Sequence, residues 1–160
     1  MPFNSLVLKC LTTKTSHTDA GTEVRMTPQA GERILLFVID DSSNPGCTFR
    51  IDMGLRPTDI ICDCIFFYLQ DGRPKKVLCL TELKGSDLKH AVEQILSTYR
   101  LLSEKCGRKN AQQIEWKACI RVRTSSPVQM PSNMKELINL LGNNNVKILR
   151  AADVGAFVRG

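Results

Sequence analysis

The sequence predicts a mixed α/β domain in which one helix crosses between neighbouring strands of a sheet. Two largely apolar runs, residues 60–69 and 77–84, flank a turn that contains Gly72 and predict an antiparallel hairpin of buried strands. A long amphipathic helix follows the second run, and an alternating strand follows that helix. This order of strands and helices is typical of a sheet covered by helices.

The elements before the hairpin are less uniquely determined. Residues 6–8 suit a short strand, and residues 12–22 are polar enough to form a loop. Residues 27–39 open with Thr and Pro, as a helix does, yet their apolar end suits a strand equally well. Residues 48–53 alternate between apolar and polar side chains, which predicts the first strand of a three-strand antiparallel meander.

The elements after the hairpin follow clearer signals. Ser86 is expected to N-cap the long helix, with Asp87 in its first turn, and Gly107 ends it. Residues 114–122 predict a strand, and Ser132 is expected to N-cap a helix that carries Glu136 in its second turn. Residues 146–149 predict a last strand, and residues 151–160 predict no element. The apolar positions of the long helix are Leu88, Val92, Ile95, Tyr99 and Leu102.

Length and composition indicate a single globular domain. The chain has 160 residues, of which 42% are hydrophobic and 24% charged, and we expect its core within residues 27–150. It contains neither a membrane-spanning apolar run nor a signal-peptide pattern, so we expect an intracellular, cytoplasmic protein without a membrane partner. The net charge of +6 suits a polyanionic partner, and it suits a role in solubility alone equally well.

The cysteine pattern indicates buried thiols. The seven cysteines are odd in number and include no Cys-x-x-Cys pair, so neither a disulfide framework nor a zinc site is expected.

The chemistry-bearing residues cluster on the predicted hairpin. Glu82 and Lys84 lie two positions apart on a strand and therefore share a face, while Leu83 points to the other. Asp63 is the only ionisable residue among residues 60–69, and the hairpin brings it near Glu82, although the turn does not fix the register. Such charges are costly to bury unless they pair, or unless a metal ion and a phosphate complete the site.

Two carboxylates suit Mg²⁺ or Mn²⁺ through oxygen ligands. Leu83 would add its backbone carbonyl, and Lys84 would orient a water molecule or stabilise charge on a phosphate. The alternative is that Glu82 and Lys84 form a surface ion pair, with Asp63 at a strand end. A second Glu-x-Lys, Glu115-Trp116-Lys117, is expected to be a solvent-facing strand edge.

Asp63, an interval of nineteen residues and Glu82-Leu83-Lys84 together resemble the PD-(D/E)XK nuclease superfamily. The resemblance covers residues 48–150, roughly two thirds of the chain. It implies a restriction-endonuclease-like core, with a first helix in residues 27–39, then a three-strand meander, a crossover helix and a further strand. It also implies that Asp63 and Glu82 are metal ligands and that Lys84 is the catalytic lysine.

The resemblance extends less fully to other positions. Gln94 on the following helix is the candidate for a further catalytic polar residue, facing either the site or solvent. Tyr99 would complete a Gln-plus-Tyr pattern like that of the exonuclease-type members, but at a spacing of five residues where that subgroup has four. Glu32 could supply the family's first-helix acid only if residues 27–39 are helical. The Pro-Asp dipeptide is absent, and Asp59 suits a turn.

Two functions are compatible with these observations. The first is a Mg²⁺- or Mn²⁺-dependent endonuclease that acts on DNA rather than RNA, with a homodimer as one expected state. The second is a non-catalytic nucleic-acid-binding or protein-interaction module on the same fold, which would use a set of basic side chains. These are Arg73, Lys75, Lys76, Arg108, Lys109, Arg121 and Arg123.

Overall fold

A computed structural model of the chain describes residues 2–40, 48–74, 76–84, 87–123 and 128–160. Its centre is a five-stranded sheet, accompanied by a two-stranded sheet. The strands are β1 (Ser16–Asp19), β2 (Thr22–Arg25), β3 (Glu32–Val38), β4 (Cys64–Gln70), β5 (Lys76–Lys84), β6 (Ile114–Val122) and β7 (Val146–Leu149). The α-helices are α1 (Pro2–Ser5), α2 (Thr48–Asp52), α3 (Leu88–Cys106), α4 (Arg108–Ala111), α5 (Met134–Leu141) and α6 (Gly155–Arg159). A π-helical turn covers Leu6–Cys10, and a 3-10 turn covers Asn143–Asn145.

The strand order confirms the mixed α/β class. Strands β3, β4 and β5 form an antiparallel meander, β6 lies parallel to β5, and β7 lies parallel to β6. Helix α3 provides the crossover from β5 to β6, as a parallel pair requires.

The first strand of the meander is β3, so the prediction of a strand at residues 48–53 is wrong. Most of that stretch forms helix α2. Phe49 in the helix and Met53 just after it are both buried, one turn apart, while Ile51 is 73% exposed. Helical spacing therefore accounts for the burial better than alternation does. Conversely, β3 pairs with β4 from Glu32–Gln70 to Val38–Cys64, so the first helix that the resemblance placed in residues 27–39 is absent.

The N-terminal predictions also need correction. Residues 6–8 lie in the π-helical turn rather than a strand, and the expected loop at residues 12–22 contains most of the β1–β2 hairpin. Ala20 and Gly21 connect these strands with φ values of 45° and 76°, the left-handed region that tight hairpin turns use. The sequence did not predict this hairpin, because strands this short show no clear alternation of apolar and polar side chains.

The helix boundaries shift by about one residue from those expected. Asp87, not Ser86, caps α3, and its side chain accepts a hydrogen bond from the His90 N–H at 3.0 Å. Ser86 itself lies outside the described residues. Helix α5 follows Asn133 rather than Ser132, which places Glu136 in its first turn. Strands β6 and β7 fall where they were expected.

The sheet is covered on both faces. Helices α3 and α5 and the N-terminal turns pack on one face, which we call the α3 face. The β1–β2 hairpin and α6 pack on the other, which we call the α6 face. The predicted buried thiols are confirmed for the six cysteines in the described ranges, whereas Cys47 lies outside them. No helix within those ranges is long and apolar enough to cross a membrane.

The last ten residues are ordered by contacts rather than left without structure. Arg159 on α6 binds Glu32 on β3 through Nε at 2.6 Å and Nη2 at 2.8 Å. Tyr68 donates a further hydrogen bond to the Glu32 carboxylate, whose side chain is only 1% exposed. The hydrogen bonds from Arg159 lower the pKa of Glu32 from 4.5 to about 2.

We expect Glu32→Gln to destabilise the fold by about 2 kcal/mol at neutral pH, because it removes charge-assisted hydrogen bonds. A carboxyl group with a lowered pKa stabilises the fold above pH 4.5, and this contribution is lost as the pH falls towards 2. Urea unfolding should therefore show a difference in the free energy of unfolding between wild type and variant that is smaller at pH 3 than at pH 7. Glu23→Gln is the control, because Glu23 is 42% exposed in its pair with Arg25. An equal loss of stability in both variants would contradict a stabilising role for the Glu32 carboxylate.

Candidate active site

Strands β4 and β5 bring Asp63 and Glu82 side by side. The register pairs Cys64 with Thr81, so the next position along each strand places Asp63 opposite Glu82. The Asp63 N–H donates to Glu82 Oε2 at 3.1 Å, and Asp63 Oδ2 accepts from the Leu83 N–H at 2.7 Å. Both carboxylates point towards the α3 face, because they alternate with Leu83 and share the side of Ile65 and Leu80.

Lys84 completes a three-residue cluster with these acids. Its Nζ lies 2.8 Å from Glu82 Oε1, although the contact is too poorly aligned to count as a hydrogen bond. The Glu82 side chain is 0% exposed and that of Lys84 is 24% exposed. The alternative of a surface ion pair is therefore wrong, since one partner is completely buried.

The two carboxyl groups carry more negative charge than their surroundings compensate. Burial raises the pKa of Glu82 well above its usual range, and the charge of Asp63 raises it further. Burial also raises the pKa of Asp63, against the hydrogen bond from Leu83. Both groups therefore bind a proton more readily than an isolated carboxyl group does, unless a cation joins them.

Two further acids act on Asp63 through their charges and were missed in the sequence. Asp19, at the end of β1, and Asp40, just after β3, both raise the pKa of Asp63 through their charges. Asp40 also binds Arg50 at 2.8 Å. Only the unpredicted β1–β2 hairpin and the reassigned β3 bring them here, so no local motif could have identified them.

Helix α3 fixes the segment that leads into Asp63. Gln94 is 6% exposed, and its Nε2 donates to the Ile61 carbonyl at 3.0 Å. Thr98 accepts from the Cys62 N–H at 2.8 Å and donates to the Gln94 carbonyl at 2.8 Å. Gln94 therefore faces the interior rather than solvent, and it positions Asp63 through the backbone. Thr98, which shares this task, was not singled out in the sequence.

We expect Thr98→Val to cost about 1 to 3 kcal/mol, because it leaves the buried Cys62 N–H without an acceptor in a side chain of nearly the same shape. Thr81→Val is the matched control. Thr81 is equally buried, but its hydroxyl makes only a 3.4 Å contact with the Cys79 carbonyl and a 3.8 Å contact with its sulfur. Chemical denaturation of both variants measures the difference, and equal stabilities would contradict a positioning role for Thr98.

Two candidates from the resemblance do not reach the cluster. Tyr99 packs edge-on against Trp116 with ring centroids 5.2 Å apart, and the register places Trp116 beside Leu78, six residues before Lys84. Glu32 pairs with Gln70, at the opposite end of β4 from Asp63. The Gln-plus-Tyr pattern and a first-helix acid are therefore not assembled.

The residues present fit a divalent cation. Among the described residues, Asp63 Oδ1 has no hydrogen-bond partner and Glu82 Oε1 has only the poorly aligned Lys84 contact. In a strand, the N–H and C=O of one residue leave on the same edge. Because the Leu83 N–H binds Asp63, the Leu83 carbonyl is also directed to that edge. The described ranges contain no cluster of three or more His, Cys, Asp or Glu side chains suited to a metal, so a cation here would depend on two carboxylates, a carbonyl and water.

Several basic side chains considered for nucleic-acid binding are engaged inside the fold. Arg73 binds Glu115 at 3.0 Å and the Arg159 carbonyl, while Arg123 binds Thr22 and the Ala20 carbonyl. Arg121 is only 8% exposed. Lys75 lies outside the described residues. The exposed members of the set are Lys76, Arg108, Lys109 and Arg123, of which Arg123 makes the contacts given above.

Comparisons of the chain with protein-family models, with curated proteins and with solved structures find no match.

Proposed function

We propose that the chain is a metal-dependent endonuclease that hydrolyses phosphodiester bonds in nucleic acid, in DNA rather than RNA, on a restriction-endonuclease-like core. The observation that carries the proposal is the buried Asp63–Glu82 pair beside Lys84 at the end of β5. Two adjacent buried carboxylates are costly, and one lysine compensates only one of their charges. A divalent cation would compensate the remaining negative charge, which accounts for two buried carboxylates at this place.

Each residue has a distinct role in this proposal. Asp63 and Glu82 would hold Mg²⁺ or Mn²⁺ with the Leu83 carbonyl, and the bound ion would polarise the phosphodiester and lower the pKa of an attacking water. Lys84, which is partly exposed, orients that water or stabilises the charge that develops on the phosphate. Gln94 and Thr98 keep Asp63 in place through the Ile61–Cys62 backbone.

The expected oligomeric state follows from the number of active sites in each chain. One cluster of this kind occurs among the described residues, so one copy cuts one strand in a single event. Cleavage of both strands of a duplex at one position therefore favours a homodimer on the substrate.

A second candidate function is a non-catalytic nucleic-acid-binding or protein-interaction module. The direct Lys84–Glu82 contact favours it, because the lysine already compensates one charge without a metal. Such a module would bind polyanions with a steep dependence on salt and without a metal ion.

The decisive experiment incubates the purified full chain with plasmid, linear duplex and single-stranded DNA, and with RNA, in Mn²⁺, Mg²⁺ or chelator. We expect cleavage of DNA in the presence of metal and intact substrate in chelator. Binding that persists in chelator, with every substrate intact, would contradict the nuclease and favour the binding module. A chain that neither binds nor cuts any nucleic acid would contradict both.

A further inference from the structure

The second Glu-x-Lys motif forms a buried site instead of the solvent-facing edge that its sequence suggests. It lies on β6, which has β5 on one side and β7 on the other, and the Lys117 side chain is only 3% exposed. Lys117 shares the α6 face with Cys119, and the register pairs Cys119 with Lys147 of β7. Two lysines on neighbouring strands therefore point to the same face of the sheet.

Both ammonium groups approach one aromatic ring of α6. Lys117 Nζ donates to the Phe157 carbonyl at 2.8 Å and lies 5.3 Å from the centroid of the Phe157 ring. Lys147 Nζ lies 5.6 Å from the same centroid. The ring attracts the two cations weakly, but it cannot neutralise them.

Glu115 is the one acidic side chain among the described residues that pairs with Lys117. Glu115 Oε1 lies 3.5 Å from Lys117 Nζ, while Glu115 Oε2 accepts a hydrogen bond from Arg73 at 3.0 Å. One carboxylate is thus shared between two cations, and Lys147 has no ion pair with any described residue. Burial lowers the pKa of Lys117, as expected for an incompletely compensated ammonium.

A cavity opens beside these lysines. Its volume is about 540 Å³, within the range of small-molecule sites, and its walls include Lys117, Lys147, Phe157 and the turn Asn143–Asn145. Asn145 uses its side-chain N–H on the Leu141 carbonyl, whereas Asn143 and Asn144 also line the cavity and carry amide donors. The walls thus include two lysines and the side-chain amides of Asn143 and Asn144.

We propose that this cavity binds a small molecule through a phosphate group held by the ammonium groups of Lys117 and Lys147. A phosphate offers several oxygens to separate donors at once and carries more negative charge than a carboxylate. Glu115 repels the anion at one side, so the phosphate is expected nearer to Lys147 and the asparagine turn. The site lies on the α6 face and the Asp63–Glu82 cluster on the α3 face, so the proposal does not depend on the nuclease function.

The test is a calorimetric titration of inorganic phosphate into the full chain at neutral pH, with acetate at equal ionic strength as the comparison anion. We expect saturable phosphate binding that Lys147→Met weakens about tenfold, because one charge-assisted contact is lost. Lys117→Met should weaken it at least as much. Lys135→Met is the control, since Lys135 is an exposed lysine on α5, outside the cavity, and it should bind phosphate like wild type.

Lys147 is exposed, so its variant keeps the inference testable even if Lys117→Met fails to fold. Equal phosphate affinity in Lys147→Met and Lys135→Met would overturn the proposal. Acetate binding as tight as phosphate binding would also overturn it. If the wild type shows no saturable phosphate binding, the proposal is also overturned. This holds even if the chain binds a single-stranded oligonucleotide.

Discussion

Replacing Lys84 with Met is expected to lower metal-dependent cleavage at least about 100-fold while leaving Mn²⁺ binding in place, because removing one preorganised donor from a reacting phosphate has an effect of this size. Lys84 contacts Glu82 Oε1, one of the two carboxylate atoms that would hold the cation. Loss of the ammonium frees that oxygen, so Mn²⁺ affinity should stay equal or rise. Single-turnover cleavage measures the first quantity and calorimetry the second.

Lys89→Met is the matched control for this experiment. Lys89 is an exposed lysine in the first turn of α3, five residues after Lys84, and its side chain lies outside the cluster. Its variant should cleave like wild type. Wild-type cleavage by Lys84→Met would contradict the catalytic role, and a joint loss of Mn²⁺ binding and cleavage would show that Lys84 holds the site together instead.

Glu82→Gln is expected to abolish cleavage and yet to stabilise the metal-free chain at neutral pH by about 1 to 3 kcal/mol, because burial and the charge of Asp63 disfavour the ionised Glu82 carboxylate in the folded chain. The glutamine oxygen can still accept the Asp63 N–H, so the backbone contact survives. Lys84 is partly exposed and can turn to water. On this chain length the gain corresponds to a rise in melting temperature of roughly 2 to 12 °C.

The effect of Glu82→Gln on stability should depend on pH. Burial and Asp63 raise the pKa of Glu82 above its usual 4.5, so the folded chain retains a proton that the unfolded chain releases. Stability of the metal-free wild type therefore falls as the pH rises above about 4.5 through this raised pKa, and the variant should lack this part of the decline. The melting temperatures of wild type and variant in chelator at pH 5 and pH 8 measure this difference in pH dependence. A variant that melts below wild type at both pH values would contradict the account.

The hairpin that carries the candidate site could be predicted because its signals are local. An apolar run with Asp63 as its only ionisable residue, a turn with Gly72 and a second apolar run place the two carboxylates close together without knowledge of the remaining fold. The amphipathic spacing of α3 is equally local, which is why its extent was predicted within a few residues.

What could not be predicted depends on contacts between distant segments. Residues 48–53 alternate as a strand does, but burial of Phe49 and Met53 selects a helix. Lys117 alternates as a solvent-facing side chain would, but α6 covers it, and α6 itself is only five residues long and is held by the Arg159–Glu32 pair. Sequence spacing carries no signal for such tertiary coverage.

The most direct test of the proposed metal site is a calorimetric titration of Mn²⁺ into three forms of the chain: wild type, Glu82→Gln and Glu93→Gln. Glu93 is an acid on α3 whose only described pairing is with His90, with its side chain 43% exposed, so its variant controls for loss of charge. The account predicts one Mn²⁺ site in wild type and in Glu93→Gln, and none in Glu82→Gln. Equal binding in all three forms, or no binding in any of them, would contradict a cation site at Asp63 and Glu82.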